Sequence, residues 1–190
     1  MDAAIDLLAP DEGDRVADIG FGGGYALGKL LGRVGPTGQV IGVDPSCAAA
    51  ARARRRYRRA LHDQRLNLSV ATMAETHTRA APHGLSGAIS VNTIYYIENL
   101  DAALASARNA LHAATGSLVL GLGDPGYMAR MPFAKFLILR PLTDIFEVLH
   151  RNGFGIQTHV RTSDDPRAFH LLRCSPDVWA TTSNYDTPQH

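Results

Sequence analysis

Residues 15–24 read Arg15-Val16-Ala17-Asp18-Ile19-Gly20-Phe21-Gly22-Gly23-Gly24, and this stretch predicts a buried strand, a glycine turn and the start of a helix. Val16, Ala17 and Ile19 are apolar residues that can fill a parallel strand. The glycines allow positive φ angles and let a ligand approach the backbone with no Cβ in the way. A helix predicted from about Tyr25 to Arg33 would point its free N–H groups at that ligand. The stretch therefore predicts a binding site for a nucleotide-like cofactor.

The spacing of these glycines differs from the dinucleotide fingerprint Gly-x-Gly-x-x-Gly, because the third glycine, Gly24, comes one residue early. An acid, Asp18, also stands two residues before the first glycine. A carboxylate so close to a pyrophosphate would repel it, whereas a cationic ligand, such as a sulfonium that carries an amino-acid ammonium, would favour it. The glycine turn alone is also compatible with a structural turn or a nicotinamide site.

The chain resembles the class I S-adenosylmethionine-dependent methyltransferases here, since their first motif is an acid-x-Gly-x-Gly-x-Gly loop after the first strand and residues 18–24 fit it. A second apolar strand, Gln39–Asp44, ends in a carboxylate about twenty residues past the glycines, where a doubly wound fold places its ribose-binding acid. The resemblance implies that Asp18 holds the loop or the ammonium of S-adenosyl-L-methionine. It also implies that the glycines admit the methionyl chain and that Asp44 binds both ribose hydroxyls.

Further contacts to the cofactor are implied around the same crevice. Residues 66–71 predict a third strand, and similar methyltransferases hold the adenine in the turn that follows. Met73 and Ala74 would line the base and Glu75 would lie beside it, although the frequent aspartate of that turn is replaced and a plain loop is nearly as consistent with the residues. The implied cofactor contacts are Asp18, Gly20, Phe21, Gly22, Gly24, Asp44, Pro45, Met73, Ala74, Glu75, Asn92 and Thr93.

Length and composition indicate a single domain. The chain has 190 residues and is 45% hydrophobic, which is enough for one well-buried core. We expect residues 1–180 to form one domain and residues 181–190 to form a flexible tail. The expected fold is α/β, a three-layer Rossmann-like arrangement around a seven-stranded, mostly parallel sheet with an antiparallel last strand.

Charge and cysteine content exclude several classes of protein. Nineteen basic and eighteen acidic residues leave a net charge of +1, so no global field would gather nucleic acid or an anionic membrane. Cys47 and Cys174 lie far apart without a Cys-x-x-Cys spacing, which supports neither a disulfide framework nor a zinc cluster. Residues 1–6 contain acids where a signal peptide needs a basic region, and no apolar run approaches the ~20 residues of a membrane span. We therefore expect a soluble cytoplasmic protein.

The exit of the predicted fourth strand bears on the acceptor. Methyltransferases that act on planar amide or nucleobase nitrogens typically carry an Asp or Asn followed by two prolines and an aromatic residue there, and Asn92-Thr93-Ile94-Tyr95 lacks both prolines. This disfavours base methylation. Residues 91–96 instead resemble the small-molecule methyltransferases of the broad ubiquinone/menaquinone-biosynthesis-like group. Tyr95 or Tyr96 could wall the acceptor site, and core packing is an equally good reading of either ring.

Helical periodicity stops after the predicted fifth strand, in the irregular stretch 124–136. Similar methyltransferases often roof the acceptor pocket with N-terminal helices, and only fourteen residues precede the first predicted strand. We therefore expect an apolar ceiling from residues after the fifth strand, with a packing or homodimer segment as the alternative. The candidate acceptor contacts are Tyr95, Tyr96, Tyr127, Met128, Phe133 and His170, and Met131 and Phe136 belong to the same stretch.

The last part of the chain predicts a final helix from about Leu142 to Arg151 and then two strands, residues 153–161 and 167–173. Two such strands joined by a short polar turn form an antiparallel hairpin. This hairpin would close the sheet in the manner of the family that the chain resembles.

The other charged and titratable groups suggest no second chemistry. Pro45 and Ser46 predict the entry to a long helix after the second strand, with Ser46 as a possible N-cap. Six arginines crowd residues 52–59 of this helix, and four of them lie opposite an alanine-rich face, which indicates a solvated helix face rather than a nucleic-acid patch. The eight histidines form no His-x-x-x-His motif, so no metal site is predicted. An alcohol or phenol acceptor would need a base, and the candidates are His83, Glu98, Asp124 and His170.

Three functional hypotheses follow. The first is in-line transfer of the methyl group of S-adenosylmethionine to a small-molecule acceptor. The second is a nicotinamide-dependent oxidoreductase, because the glycine loop and Asp44 are shared with that fold. The third is a cofactor-binding subunit without turnover of its own.

Overall fold

A computed structural model describes residues 1–80, 84–163, 165 and 167–177. The candidate base His83 and the tail predicted at 181–190 lie outside the described residues. Among the described residues, no helix is long and apolar enough to cross a membrane.

Helices and strands alternate along most of the described chain. The strands are β1 (Arg15–Ile19), β2 (Gln39–Asp44), β3 (Leu66–Val70), β4 (Gly87–Val91), β5 (Ser117–Gly123), β6 (Phe154–Arg161) and β7 (Phe169–Pro176). The α-helices are α1 (Asp2–Leu8), α2 (Tyr25–Arg33), α3 (Cys47–Arg56), α4 (Arg58–His62), α5 (Leu100–Ala110), α6 (Pro125–Met128) and α7 (Leu142–Arg151). Short 3₁₀ turns cover Met73–Glu75, Ile94–Tyr96 and Ala134–Phe136, and a π-helical turn covers Thr76–Ala80.

The strands form one seven-stranded sheet in the order β3-β2-β1-β4-β5-β7-β6. β1 pairs in parallel with β2 and β4, while β7 runs antiparallel to both β5 and β6. The predicted α/β fold with a closing antiparallel hairpin is confirmed. Because β1 lies between β2 and β4, the carboxyl ends of these three strands meet at the topological switch point, where open α/β sheets bind ligands.

Helices cover both faces of the sheet. Because successive strand residues point to opposite sides, each strand contributes side chains to both helical layers. Ala17 and Ile19 of β1 are buried in the core shared with α5 and α7, whereas Val16 is buried in the core shared with α1, α2 and α3. Residues buried on both faces explain why the parallel strands read as continuous apolar runs. The two cores fix the strand ends that carry the candidate site.

The prediction of one long helix after β2 is wrong in one respect. The observed helix breaks at Tyr57 into α3 and α4. Ser46 caps α3 as expected, and its Oγ accepts a hydrogen bond from the N–H of Ala49 at 3.2 Å. Tyr57 leaves the helical conformation, with φ −111° and ψ 32°, and its hydroxyl donates to the carbonyl of Gly24 at 2.6 Å. The break therefore ties the outer helix to the glycine loop.

Candidate functional site

A first cavity of about 340 Å³ opens at the carboxyl ends of β1, β2 and β4. It lies at the switch point of the sheet, where the strand order makes a crevice. Its volume falls in the range of small-molecule sites. The lining residues are Ile19, Gly20, Val43, Pro45, Thr72, Met73, Ala74, Thr93, Tyr96, Ile97, Glu98 and Asn99.

The glycine loop turns sharply away from β1. Gly20, Gly22 and Gly24 have φ angles of 82°, 48° and 75°, a region that residues with a Cβ rarely adopt. The N–H of Gly20 donates to the carbonyl of Val43 at 2.6 Å, which keeps the loop beside β2. A Cβ on Gly20 would lie 2.2 Å from Oγ1 of Thr93, so both this close contact and the positive φ disfavour any side chain at this position.

Asp44 joins the glycine loop to the start of α3. Its carboxylate is 7% exposed, and its Oδ2 accepts a hydrogen bond from the N–H of Gly22 at 2.8 Å. Its Oδ1 accepts a hydrogen bond from the N–H of Ser46 at 2.8 Å. A carboxylate has about four acceptor positions, so Asp44 keeps capacity for ligand hydroxyl groups.

Asp18 is the least satisfied polar group of the site. Its side chain is 2% exposed, and its Oδ2 has no hydrogen-bond partner among the described residues. Burial disfavours the charged carboxylate, and the charge of Asp44 adds to this effect, so that the pKa of Asp18 rises to about 7. A cationic ligand group would supply the missing partner.

The exit of β4 supplies the opposite wall of the crevice. The hydroxyl of Thr93 donates towards the carbonyls of Ile19 and Val91, at 3.2 and 3.3 Å. Asn92 adopts a φ of 57°, which is uncommon for a residue with a side chain, and its N–H donates to the carbonyl of Gly121 at 2.8 Å. These contacts tie the turn to β1 and β5.

The turn after β3 separates residues that face the cavity from one that does not. Met73 and Ala74 line the first cavity. Glu75 instead closes a capping box, because its Oε2 accepts hydrogen bonds from the N–H and hydroxyl of Thr72, both at 2.9 Å, and its Oε1 pairs with Arg79. The hydrogen bond from the Thr72 backbone is the main reason that the pKa of Glu75 lies below its usual range.

A second cavity of about 340 Å³ lies beside the first, towards β5 and β7. It brings together five of the six candidate acceptor residues from the sequence and the cofactor candidate Asn92. It adds four residues that no sequence pattern indicated: Gly123, Leu137, Arg167 and Phe169. Tyr96 lines both cavities. The lining residues are Asn92, Tyr95, Tyr96, Gly123, Tyr127, Met128, Phe133, Leu137, Arg167 and Phe169.

Tyr95 is buried, and its hydroxyl donates to the carbonyl of Gly123 at 3.2 Å. Burial raises the pKa of this phenol to about 12. Tyr95 therefore stays neutral at physiological pH and acts as a wall of the second cavity rather than as a base.

His170, the sixth candidate, is not among the residues that line the second cavity. It is 3% exposed, its Nδ1 lies 2.9 Å from Nε2 of His159, and its Nε2 lies 3.4 Å from Oδ2 of Asp124. The other carboxylate oxygen of Asp124 accepts the N–H of Tyr127 at 2.9 Å and so caps α6. That hydrogen bond is the main cause that holds the pKa of Asp124 below its usual value.

Five of the twelve cofactor candidates line the first cavity: Gly20, Pro45, Met73, Ala74 and Thr93. Four others belong to the glycine loop or the strand ends beside it without lining the cavity: Asp18, Gly22, Gly24 and Asp44. Besides Glu75, two candidates lie elsewhere. Phe21 is 5% exposed and is buried in the core beside α2 and α3. Asn92 lines the second cavity and not the first.

Arg140 is a site residue that the sequence did not indicate. Its guanidinium donates to the carbonyls of Ile94, Ile97 and Glu98, at 3.3, 2.7 and 2.9 Å. It thereby fixes the turn that borders both cavities. More than forty residues separate Arg140 from this turn, so only the tertiary fold could reveal the contact.

The described residues contain no cluster of His, Cys, Asp or Glu that could hold a metal ion. The geometry thus offers two adjoining cavities, one under a glycine loop with a buried acid and one lined by aromatic and apolar groups.

Comparison with known proteins gives a family and a set of similar folds. A family model described as a methyltransferase domain matches residues 16–114, more than half of the chain. The ribosomal RNA small subunit methyltransferase H of Rubrobacter xylanophilus is 42% identical over 55 residues, which are 29% of this chain and 18% of that protein. An uncharacterized 37.1 kDa protein in transposon TN4556 of Streptomyces fradiae is 31% identical over 121 residues, 63% of this chain and 33% of that protein.

The chain thus spans a third or less of these curated relatives. Among solved structures, a SAM dependent methyltransferase from Aquifex aeolicus superposes with a TM-score of 0.73 at 14% identity, covering 91% of this chain and 87% of the other. Geranyl diphosphate C-methyltransferase from Streptomyces coelicolor A3(2) gives a TM-score of 0.73 at 16% identity, covering 92% and 77% of the two chains. At this identity the superpositions show a shared fold.

Proposed function

The chain belongs to the methyltransferase domain family, within the class I S-adenosylmethionine-dependent superfamily, and from this premise we propose that it methylates a small, largely apolar or aromatic acceptor. S-adenosylmethionine would occupy the first cavity and the acceptor the second. Tyr96, which lines both cavities, would stand where cofactor and acceptor meet.

The observation that carries the proposal is the buried carboxylate of Asp18, which lacks a partner on Oδ2 and lies near a second acid, Asp44. Such a pair attracts a cation and repels an anion. The ammonium of S-adenosylmethionine would satisfy it, whereas the pyrophosphate of a nicotinamide dinucleotide would add negative charge beside it. The family and this electrostatic argument both favour methyl transfer over the oxidoreductase hypothesis.

The residues present fit the cofactor group by group. Asp44 has free acceptor capacity for ribose hydroxyls, and Met73 and Ala74 offer an apolar wall for the adenine. A Cβ at Gly22 would meet only the carbonyl of Gly20, at 3.9 Å, so the loop backbone is open there to the methionyl chain, whereas Thr93 fills this space at Gly20. When bound, the cofactor supplies a methyl group already activated by its positive sulfur. The chain then contributes alignment of the two reactants and exclusion of water.

The second cavity supports an apolar acceptor because aromatic and aliphatic side chains form most of its lining. The match to ribosomal RNA methyltransferases covers only 29% of this chain and leaves the acceptor open. The missing prolines after Asn92 speak against a nucleobase.

A hydroxyl acceptor would also have to lose a proton. The candidate bases Asp124 and His170 follow the lining residues Gly123 and Phe169 in the chain without lining the second cavity themselves, and His170 contacts the exposed His159. This chain of groups could pass a proton to solvent. Glu98 borders the first cavity and lies further from the expected acceptor.

Incubation with methyl-labelled S-adenosylmethionine and a panel of apolar phenols, carboxylic acids and isoprenoids, with release of S-adenosylhomocysteine as the readout, tests this function. Transfer to a member of the panel supports it. Cofactor binding with no transfer to any small molecule, together with transfer to ribosomal RNA, would contradict the acceptor class and leave the cofactor site intact.

We expect Asp44→Ala to weaken S-adenosylhomocysteine binding by at least about tenfold, since each charged hydrogen bond from a ribose hydroxyl contributes about 1.5–3 kcal/mol. The same change removes the acceptors for the N–H groups of Gly22 and Ser46, so it should also lower the free energy of unfolding by about 1–3 kcal/mol. Calorimetric titration and urea denaturation give the two quantities. Asp63→Asn, at an exposed site in the turn after α4, is the control and should change neither. Unchanged affinity for Asp44→Ala would remove this residue from the site.

We expect the triple change Tyr127→Ala, Met128→Ala and Phe133→Ala to lower kcat/KM for the acceptor by at least about tenfold, because it removes a large part of the apolar lining of the second cavity. S-adenosylhomocysteine affinity should stay within about twofold of wild type, since none of the three residues lines the first cavity. Steady-state kinetics and calorimetry separate the two effects. If the variant instead dissociates a dimer and keeps full activity per chain, the segment is an interface and not part of the acceptor site.

A further inference from the structure

Exposed apolar side chains concentrate on one part of the surface. Seven large hydrophobic residues are exposed among the described residues, and four of them lie on or against the segment that follows β5. We call these four residues and two neighbouring cations the cap surface: Tyr96, Phe133, Phe136, Ile138, Arg130 and Lys135. Phe136 and Tyr96 are the most exposed of the four, at 71% and 69% of their surface. A contiguous apolar patch of this kind marks an interaction surface.

The apolar residues of the cap surface are neighbours because the chain that follows β5 lies along the turn after β4. The N–H of Ile138 donates to the carbonyl of Tyr95 at 2.8 Å, and Phe133 and Leu137 line the second cavity together with Tyr96. Phe133 and Tyr96 are exposed and line that cavity at the same time. The mouth of the second cavity therefore lies within the cap surface.

The cap surface is also positively charged. Residues 125–141 contain Arg130, Lys135 and Arg140 and no acid. Lys135 Nζ lies 5.0 Å from the ring centroid of Phe136, and the Arg130 guanidinium lies 5.7 Å from that of Tyr127, so cations and aromatic rings alternate. Among the described acids near this surface, Asp165 pairs with Arg167, Asp124 faces His170, and Glu98 borders the first cavity together with Tyr96.

We propose that the cap surface docks on an anionic lipid bilayer. Aromatic and aliphatic side chains at the level of lipid headgroups bury apolar area, and neighbouring Lys and Arg residues gain from the negative surface potential. A second copy of the chain is a poorer occupant, because it would bring a second surface with the same positive charge to the interface. The net charge of +1 does not oppose docking, since the relevant charges are local. Docking would turn the mouth of the second cavity towards the bilayer. The inference does not depend on the proposed methyl transfer.

Co-sedimentation with unilamellar vesicles tests this inference. We expect binding to phosphatidylcholine vesicles that contain about one-third phosphatidylserine, and roughly tenfold weaker binding to pure phosphatidylcholine. The double change Phe136→Ser and Ile138→Ser should reduce binding to the anionic vesicles by roughly tenfold, because it removes two exposed apolar groups that line neither cavity. The double change Arg130→Ser and Lys135→Ser should reduce it comparably and remove most of its salt dependence.

Two controls keep the result specific. The double change Arg54→Ser and Arg58→Ser removes the same amount of charge from the exposed face of α3 and α4. Val160→Ser removes an exposed apolar group from the edge strand β6. Both control variants should bind vesicles as wild type does. Unchanged S-adenosylhomocysteine affinity and thermal midpoint show that each variant is folded. The inference is overturned if the wild type binds S-adenosylhomocysteine and ignores anionic vesicles. It is also overturned if the arginine control loses as much vesicle binding as the cap variants, or if the cap variants merely dissociate a dimer.

Discussion

Gly20→Ala is expected to lower the free energy of unfolding by roughly 2–5 kcal/mol and to reduce S-adenosylhomocysteine affinity by at least about tenfold. The new Cβ would lie 2.2 Å from Oγ1 and 2.6 Å from Cγ2 of Thr93, and the φ of 82° disfavours any side chain at this position. Thr93 cannot yield without loss, because its hydroxyl contacts the carbonyls of Ile19 and Val91. Urea denaturation and calorimetric titration measure the two effects.

Gly23→Ala is the matched control for this prediction, since it lies in the same loop and a Cβ there meets nothing within 4 Å. It should have little effect on stability. Adding Thr93→Ala to Gly20→Ala should recover part of the lost stability by removing the clash, while the strain of positive φ remains. If Gly20→Ala folds and binds as wild type does, the close packing of the glycine loop on the β4 exit is wrong.

Asp18→Asn is expected to make the cofactor-free protein more stable at neutral to alkaline pH while it weakens cofactor binding by well over tenfold. The pKa of Asp18 is about 7 in the folded protein, above its ordinary value of 3.8, because burial and the charge of Asp44 disfavour ionisation. The folded protein therefore keeps a proton that the unfolded chain releases between these two values. Stability falls as pH rises from about 4 to 7 and then levels off, with a total loss on the order of a few kcal/mol.

Asparagine has the same shape as aspartate and no charge, so the fall in stability between pH 4 and 7 should largely disappear in the variant. The pH dependence of cofactor affinity should have the opposite sign to that of stability. The wild-type affinity should rise with pH through about 7 as Asp18 ionises and can pair with the ligand ammonium, and the variant should bind weakly at every pH. Asp63→Asn, an exposed carboxylate, is the control. A variant with wild-type affinity at pH 8 would show that Asp18 does not meet the ligand.

The sequence was most informative where local chemistry determines structure. Residues 15–24 combine apolar strand residues with glycines that only a tight turn needs, and the structure has a strand, a turn and a helix there. Ser46 as the cap of α3 and the helix Leu142–Arg151 were predictable for the same reason, because caps and helical periodicity are properties of neighbouring residues.

Contacts between distant segments could not be predicted. The break at Tyr57 depends on a hydrogen bond to Gly24, and the two residues are 33 positions apart. Arg140 satisfies three carbonyls of the β4 exit, and Arg167 and Phe169 reach the second cavity from the closing hairpin. Glu75 looked like a ligand contact from its position, yet its carboxylate is engaged by Thr72 and Arg79. Such pairings depend on the tertiary fold rather than on any local pattern.

Isothermal titration calorimetry of the wild-type chain, with S-adenosylhomocysteine in one series and NADH in another, is the most direct test that the crevice under the glycine loop binds S-adenosylmethionine. We expect S-adenosylhomocysteine to bind with a dissociation constant in the micromolar range or below, because its ammonium can pair with Asp18 and its ribose with Asp44. NADH should give no binding heat, since its pyrophosphate would face two buried acids. Binding of NADH with no binding of S-adenosylhomocysteine would contradict the assignment of the site.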